Sequence, residues 1–144
     1  MRLLSLASSV AVLTLAVLLA GCDAAAPSTS VSLRLEGTVR DAATGAAVPG
    51  AEVLLYVVNE DLSTTTLART TADSDGRFTL SHRLEDVATE GELGGACAIW
   101  NDGVTAEVSL AASAEGYADG RFFSAEPVAC TDAAQTVALT LTRF

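Results

Sequence analysis

The sequence predicts an all-β fold, a sandwich of about seven strands. Three observations carry that prediction. From Val31 onward, apolar and polar residues alternate at period two in several short runs. Gly, Pro, Asn and Asp punctuate the gaps between those runs. Between Val31 and Phe144 no stretch shows convincing helical spacing. A half-buried strand hides one face only, so a lone sheet would leave much of the apolar set wet. Packing two sheets face to face removes it from water.

The elements follow in order. In "VSLRLEGTVRD", Val31, Leu33, Leu35 and Val39 share one face, with Ser32, Arg34, Glu36, Thr38 and Arg40 on the other. "AATGAAVPG" is a turn region marked by Gly45, Pro49 and Gly50. "AEVLLYVV", Ala51 to Val58, is apolar on both faces, as a central strand requires. "NEDLS" is a polar loop, and "TTTLARTTA" is a strand rich in β-branched threonine. "DSDG", Asp73 to Gly76, predicts a hairpin turn from which "RFTLSH" returns with Phe78 and Leu80 facing inward. Alternation fails from Arg83 to Gly95, which predicts a long loop with at most one helical turn around Leu84 and Val87. "CAIW" is a short strand, and Asn101-Asp102-Gly103 predicts a tight hairpin, because Asp-Gly suits positive φ. "VTAEVSLAASA" points Val104, Ala106, Val108, Leu110 and Ala112 inward. "EGYADG" is a turn and "FFSAEPVAC" is irregular; "TVALTLTRF" closes the fold with Val137, Leu139 and Leu141 on one face.

Ahead of these strands lies a leader. Arg2 is followed by an apolar run, Leu3 to Ala20, interrupted only by Ser5, Ser8, Ser9 and Thr14. This is the layout of a secretory signal peptide. The run ends Leu19-Ala20-Gly21-Cys22. That ending resembles the lipobox of bacterial lipoproteins, where small residues let a peptidase approach the backbone before an obligatory cysteine. The resemblance implies that the Cys22 thiol receives a diacylglyceryl group, that residues 1–21 are removed, and that the new amino group is acylated. Two or three acyl chains anchor a protein stably, whereas one holds it only reversibly. The competing readings are a plain signal and an uncleaved membrane helix, for which the run is barely long enough. Residues 22–30 then form a lipidated cysteine and a small, polar tether, and residues 31–144 form the domain.

Three cysteines are present. With Cys22 acylated, Cys97 and Cys130 remain in a compartment that permits disulfides. They are expected to pair, the alternative being two separate buried thiols. Such a bridge is worth about 3–4 kcal/mol in the chain-entropy view. The formal net charge is −10, and every basic residue is arginine, eight in all. A chain this acidic does not seek nucleic acid or anionic headgroups by charge.

"GTVRDAATGAAVPGAEVLL" followed by "TTADSDGRFTL" resembles the carboxypeptidase regulatory-like domain. The matching positions are Gly37, Val39 and Asp41, then Thr44, Gly45, Gly50, Ala51 and Val53, then Ala72, Asp73, Gly76 and Phe78. "VSLAASAEGY" is similar to a later strand of that family, ending in Gly116-Tyr117. The resemblance implies an Ig-like, prealbumin-like Greek-key β-sandwich. It covers half to two-thirds of the domain and speaks to fold more than to activity. Ala72 stands where the family usually has threonine. The segments Arg83 to Trp100 and Phe122 to Ala134 also depart from the family pattern, and the proposed disulfide joins them.

Candidate chemistry is sparse. Asp73 and Asp75 are hard oxygen donors beside a sharp turn, which admits calcium. A full calcium loop would need a glutamate at its twelfth position, and that position is Leu84; a bare turn is the stronger reading. No other cofactor is expected. The one histidine, His82, lacks a nucleophile elbow and has no zinc-ligand spacing around it, so no enzyme activity is expected. With no lysine, the Lys–Asn isopeptide crosslink of some related adhesin repeats cannot form. Trp100, Tyr117, Phe122 and Phe123 lie in or near the atypical segments and are the candidate ligand-binding residues, although most of the seven aromatics are needed for a core. The expected function is a non-catalytic, lipid-anchored binding or structural module of the bacterial cell envelope, outside the cytoplasm, contacting protein or glycan. The alternative is a calcium- or ligand-sensing accessory lipoprotein of a nutrient-uptake complex.

Overall fold

A computed structural model describes residues 29–88 and 96–144. The leader, Cys22 and the tether up to Ser28 lie outside the described residues, as does the 89–95 part of the expected long loop. Among the described residues, eight strands and one helical turn follow in order: β1 (Thr29–Asp41), β2 (Glu52–Val58), β3 (Thr64–Thr71), β4 (Arg77–Val87), β5 (Ala98–Asn101), β6 (Val104–Ser113), α1 (Gly120–Phe123), β7 (Glu126–Pro127) and β8 (Ala134–Leu141). Hydrogen bonding runs in the order β3-β2-β6-β5-β4-β1-β8, with β7 added to β6.

This continuous sheet folds over into two layers. One holds β3, β2 and β6; the other holds β4, β1 and β8. β5 is the joint between them. It pairs with β6 over four residues, but with β4 only through Val87 and Ile99. β6 is shared along its length: Val104–Glu107 pair with β5, while Val108–Ser113 pair with β2. β8 lies parallel to β1, from Arg34 opposite Ala134 to Asp41 opposite Leu141.

The alternating residues fill the space between the layers. Leu33, Leu35 and Val39 of β1 meet Val53, Leu55 and Val57 of β2, Phe78, Leu80 and Leu84 of β4, Val108 and Leu110 of β6, and Leu139 and Leu141 of β8 in one core. Each such side chain stabilises the fold by about 1.5–3 kcal/mol relative to exposure. β2 is apolar on both faces because both are covered. Leu54 and Tyr56 form a second cluster with Ala111 on the outer side, where the Tyr56 hydroxyl donates to the Arg121 carbonyl of α1 at 3.1 Å.

Three expectations are corrected. β1 begins at Thr29, two residues inside the expected tether. β4 continues through Arg83 to Val87 instead of dissolving into a loop. The helix-like spacing of Leu84 and Val87 is a β-bulge: Thr29 and Val31 of β1 oppose Val87 and Leu84, so β4 carries one extra residue there. Asp86 takes it up at φ 54°, and both apolar residues still face inward. Finally, the Asp73–Gly76 turn is not a hairpin. β3 pairs with β2 and β4 pairs with β1, so the turn carries the chain from one layer to the other. The Asn101–Val104 connection is a hairpin as expected, with Asp102 at φ 50° and Gly103 at φ 84°, the values a primed two-residue turn needs.

Candidate functional site

Cys97 and Cys130 are joined by a disulfide, with Cα atoms 4.7 Å apart. Cys97 is fully buried just before β5. Its N–H donates to the Val128 carbonyl, and its own carbonyl accepts from Val108. The bridge therefore fixes the joint strand β5 to the segment that follows β7.

Large apolar side chains stand exposed on both tied segments. Trp100 is 56% exposed, Phe122 69% and Phe123 72%. Trp100 pairs with Thr105 on β6. Ala106 and Val108 point into the core, so Trp100 and Thr105 lie on the outer face, as do Ser109 and its partner Tyr56. Ser109 is four residues beyond Thr105, about 13 Å along the strand. The structure thus places Trp100 and α1 on one outer face but not side by side.

α1 is a single turn that needs local help to persist. Asp119 caps it by accepting from the Arg121 N–H at 2.9 Å, and its carboxylate also pairs with the Arg121 guanidinium at 2.6 Å. That pairing holds Asp119 below the usual carboxylate range and raises Arg121. Gly120 lets the turn sit flat on β6, since a Cβ there would meet the Ala112 carbonyl.

Tyr117 does not join the other aromatics. Its ring packs against the core edge, its hydroxyl donates to Asp41 Oδ2 at 3.0 Å, and the Arg143 guanidinium lies 5.3 Å from the ring centre. Asp41 is 2% exposed. Its Oδ1 accepts from the Ala43 and Thr44 N–H groups, and its Oδ2 also accepts from Arg143 Nε at 2.7 Å. The Arg143 hydrogen bond is the largest cause holding the Asp41 carboxyl well below its usual value; burial opposes it. Sequence reading picked out Asp41 and Tyr117 without linking them. An aspartate ending a strand before Thr-Gly signals a turn, but nothing local signals a partner 102 residues away.

At the Asp73–Gly76 turn, Asp73 Oδ1 accepts from the Asp75 and Arg77 N–H groups, each at 2.9 Å. Among the described residues no group of three or more His, Cys, Asp or Glu side chains converges as metal ligands. His82 lies within β4 opposite Leu33, partly exposed.

Sequence reading also missed a cluster at the pole of the sandwich. Asn101 Nδ2 donates to Asn59 Oδ1 at 2.7 Å, tying the β5–β6 hairpin to the β2–β3 loop. A shallow cleft of about 270 Å³ there is lined by Asn59, Glu60, Asp61, Asn101, Asp102 and Val104 among others. Leu62, at φ 67°, projects from that loop 80% exposed, and Val58 at the end of β2 is also exposed.

No family model matches this chain, and no curated protein matches it. Among solved structures it is similar to the Bacillus anthracis TIE protein, at 16% identity and TM-score 0.45, over 78% of this chain and 18% of that one. It is similar to the C-terminal domain of the shaft pilin SpaA from Lactobacillus rhamnosus GG, at 10% identity and TM-score 0.43, over 78% of this chain and 98% of that one. It is also similar to 3-chlorocatechol 1,2-dioxygenase from Rhodococcus opacus 1CP, at 14% identity and TM-score 0.45, over 83% of this chain and 62% of that one.

Proposed function

We propose that the chain is a non-catalytic, lipid-anchored module of a bacterial cell envelope, held outside the cytoplasm by acyl chains on Cys22. In this reading it contacts protein or glycan through the surface around α1. One observation carries the reading: Phe122 and Phe123 are exposed on a capped, salt-bridged turn within the segment that the Cys97–Cys130 bridge ties down. Rigid aromatic side chains lose little entropy on binding and are the usual anchors of sugar and protein contacts. The lipobox-like Leu19-Ala20-Gly21-Cys22 and the disulfide support an extracytoplasmic, oxidising location. The resemblance of the Gly37–Val53 and Ala72–Phe78 stretches to the carboxypeptidase regulatory-like domain supports a scaffold that presents surface loops.

Binding of the mature protein to a glycan array and to isolated envelope proteins tests this. Phe122→Ser with Phe123→Ser is expected to abolish the signal while leaving the melting temperature unchanged. Binding that survives the double substitution removes α1 as the contact surface.

A further inference from the structure

The pole that carries Trp100 is also the pole where the chain enters the domain. Thr29 pairs with Val87, and Val87 pairs with Ile99. Two strand spacings, about 10 Å, therefore separate the first residue of β1 from the neighbour of Trp100. Six residues, Asp23 to Ser28, lie between Cys22 and Thr29. Fully extended, the seven steps from Cys22 to Thr29 span at most about 25 Å. If Cys22 carries the acyl chains, this pole is held within about 35 Å of the bilayer surface, close enough to rest on it.

The side chains on the pole suit that position. Trp100, Leu62 and Val58 are exposed there, and the Asn59–Asn101 hydrogen bond holds their two loops together. Tryptophan favours the membrane–water interface, where an apolar ring and an N–H donor both find partners. Glu60, Asp61 and Asp102 stand on the same loops. Their charge disfavours an anionic leaflet, so the complementary surface is a zwitterionic one.

We propose that the Trp100–Leu62–Val58 pole docks onto a zwitterionic bilayer interface, orienting the sandwich so that the tethered end rests on the membrane. The proposal rests on the acylation of Cys22 set out above. It adds an orientation and a second, protein-borne contact with lipid, and it leaves α1 as the surface offered to other envelope components.

Trp100 is the one tryptophan of the chain, so intrinsic fluorescence reports this contact alone. The purified, processed full-length lipoprotein is reconstituted in protein-free phosphatidylcholine–phosphatidylethanolamine vesicles, with or without lipids brominated near the acyl carbonyls. The expected result is a blue-shifted Trp100 emission, quenched by the brominated lipids and sheltered from acrylamide, with less quenching when phosphatidylglycerol is added. Protein that floats with the vesicles while Trp100 stays unquenched and open to acrylamide overturns the orientation and leaves the anchoring reading standing. Shelter in native membranes but not in protein-free vesicles also overturns it, in favour of a protein cover. Protein that fails to float and whose mass shows an unmodified Cys22 overturns the anchoring reading, and this proposal with it.

Discussion

Reducing the Cys97–Cys130 bridge to two thiols perturbs the domain without a substitution in the sequence. The bridge closes a loop with a sequence separation of 33. Loop closure of that length removes about 12.5 cal/mol/K from the unfolded chain, or roughly 3.7 kcal/mol at room temperature. A domain of this size unfolds with an entropy of roughly 0.24 kcal/mol/K, so the midpoint falls by about 15 °C on reduction. The loss is uneven. β5 is held to β4 by a single residue pair, so its amides, those of Trp100 and Asn101 included, exchange faster in the reduced protein while β1 and β2 stay protected. The assay is a thermal melt by circular dichroism with and without reductant, with a thiol count on each sample and hydrogen exchange on both. Equal midpoints, with the thiol count confirming that the bond was opened, refute the argument that the bridge limits the unfolded chain. Two free thiols in the unreduced mature domain refute the bond itself.

Asp41 has its carboxyl lowered in the folded state chiefly by Arg143, so the stability it contributes is present above the ordinary carboxylate value, about 4, and is lost as pH falls below it. Arg143→Ala flattens that acid limb in a pH series of melts, and an unchanged limb contradicts the assignment. Tyr117→Phe lowers the midpoint by a few degrees without altering α1. At Gly76, φ is 73° and a Cβ would lie 2.7 Å from the Val39 carbonyl oxygen. Gly76→Ala therefore costs at least about 1–2 kcal/mol from backbone crowding alone, read as a lower urea midpoint. Asp119→Ala removes the α1 cap, costs about 1 kcal/mol and raises exchange at Arg121 to Ser124 in particular. Millimolar calcium is expected to leave the melting temperature unchanged, because Asp73 Oδ1 already serves two backbone donors; an upward shift would favour Asp73 and Asp75 as ligands.

The strands with one wet face were legible from the residues. β1 and β6 alternate cleanly, and the Asp102–Gly103 turn has chemistry that admits one geometry. β2 was legible as central because Leu54 and Tyr56 add a second apolar face. Local pattern failed where tertiary geometry decides. The bulge at Asp86 changes the spacing of Leu84 and Val87 from two to three, and three in isolation looks helical. Turn residues at Asp73–Gly76 specify a reversal but not which sheet receives the next strand. The Asp41–Tyr117–Arg143 cluster needs three segments distant in sequence, so no window of residues contains it. Among the candidate aromatics, Trp100, Phe122 and Phe123 are exposed, while Tyr117 serves the Asp41 cluster. The Leu62 pole went unnoticed because a lone leucine in a polar loop carries no periodic signal.

The mooring of this domain through Cys22 is the claim on which its orientation and its proposed role depend. Intact mass spectrometry and membrane fractionation, run in parallel on the wild-type chain and on Cys22→Ala, test it most directly. The wild-type mature chain is expected to begin at an acylated Cys22 and to sediment with membranes, and the variant to be neither acylated nor cut at that position. A variant that is processed identically and held in the membrane just as firmly would contradict it.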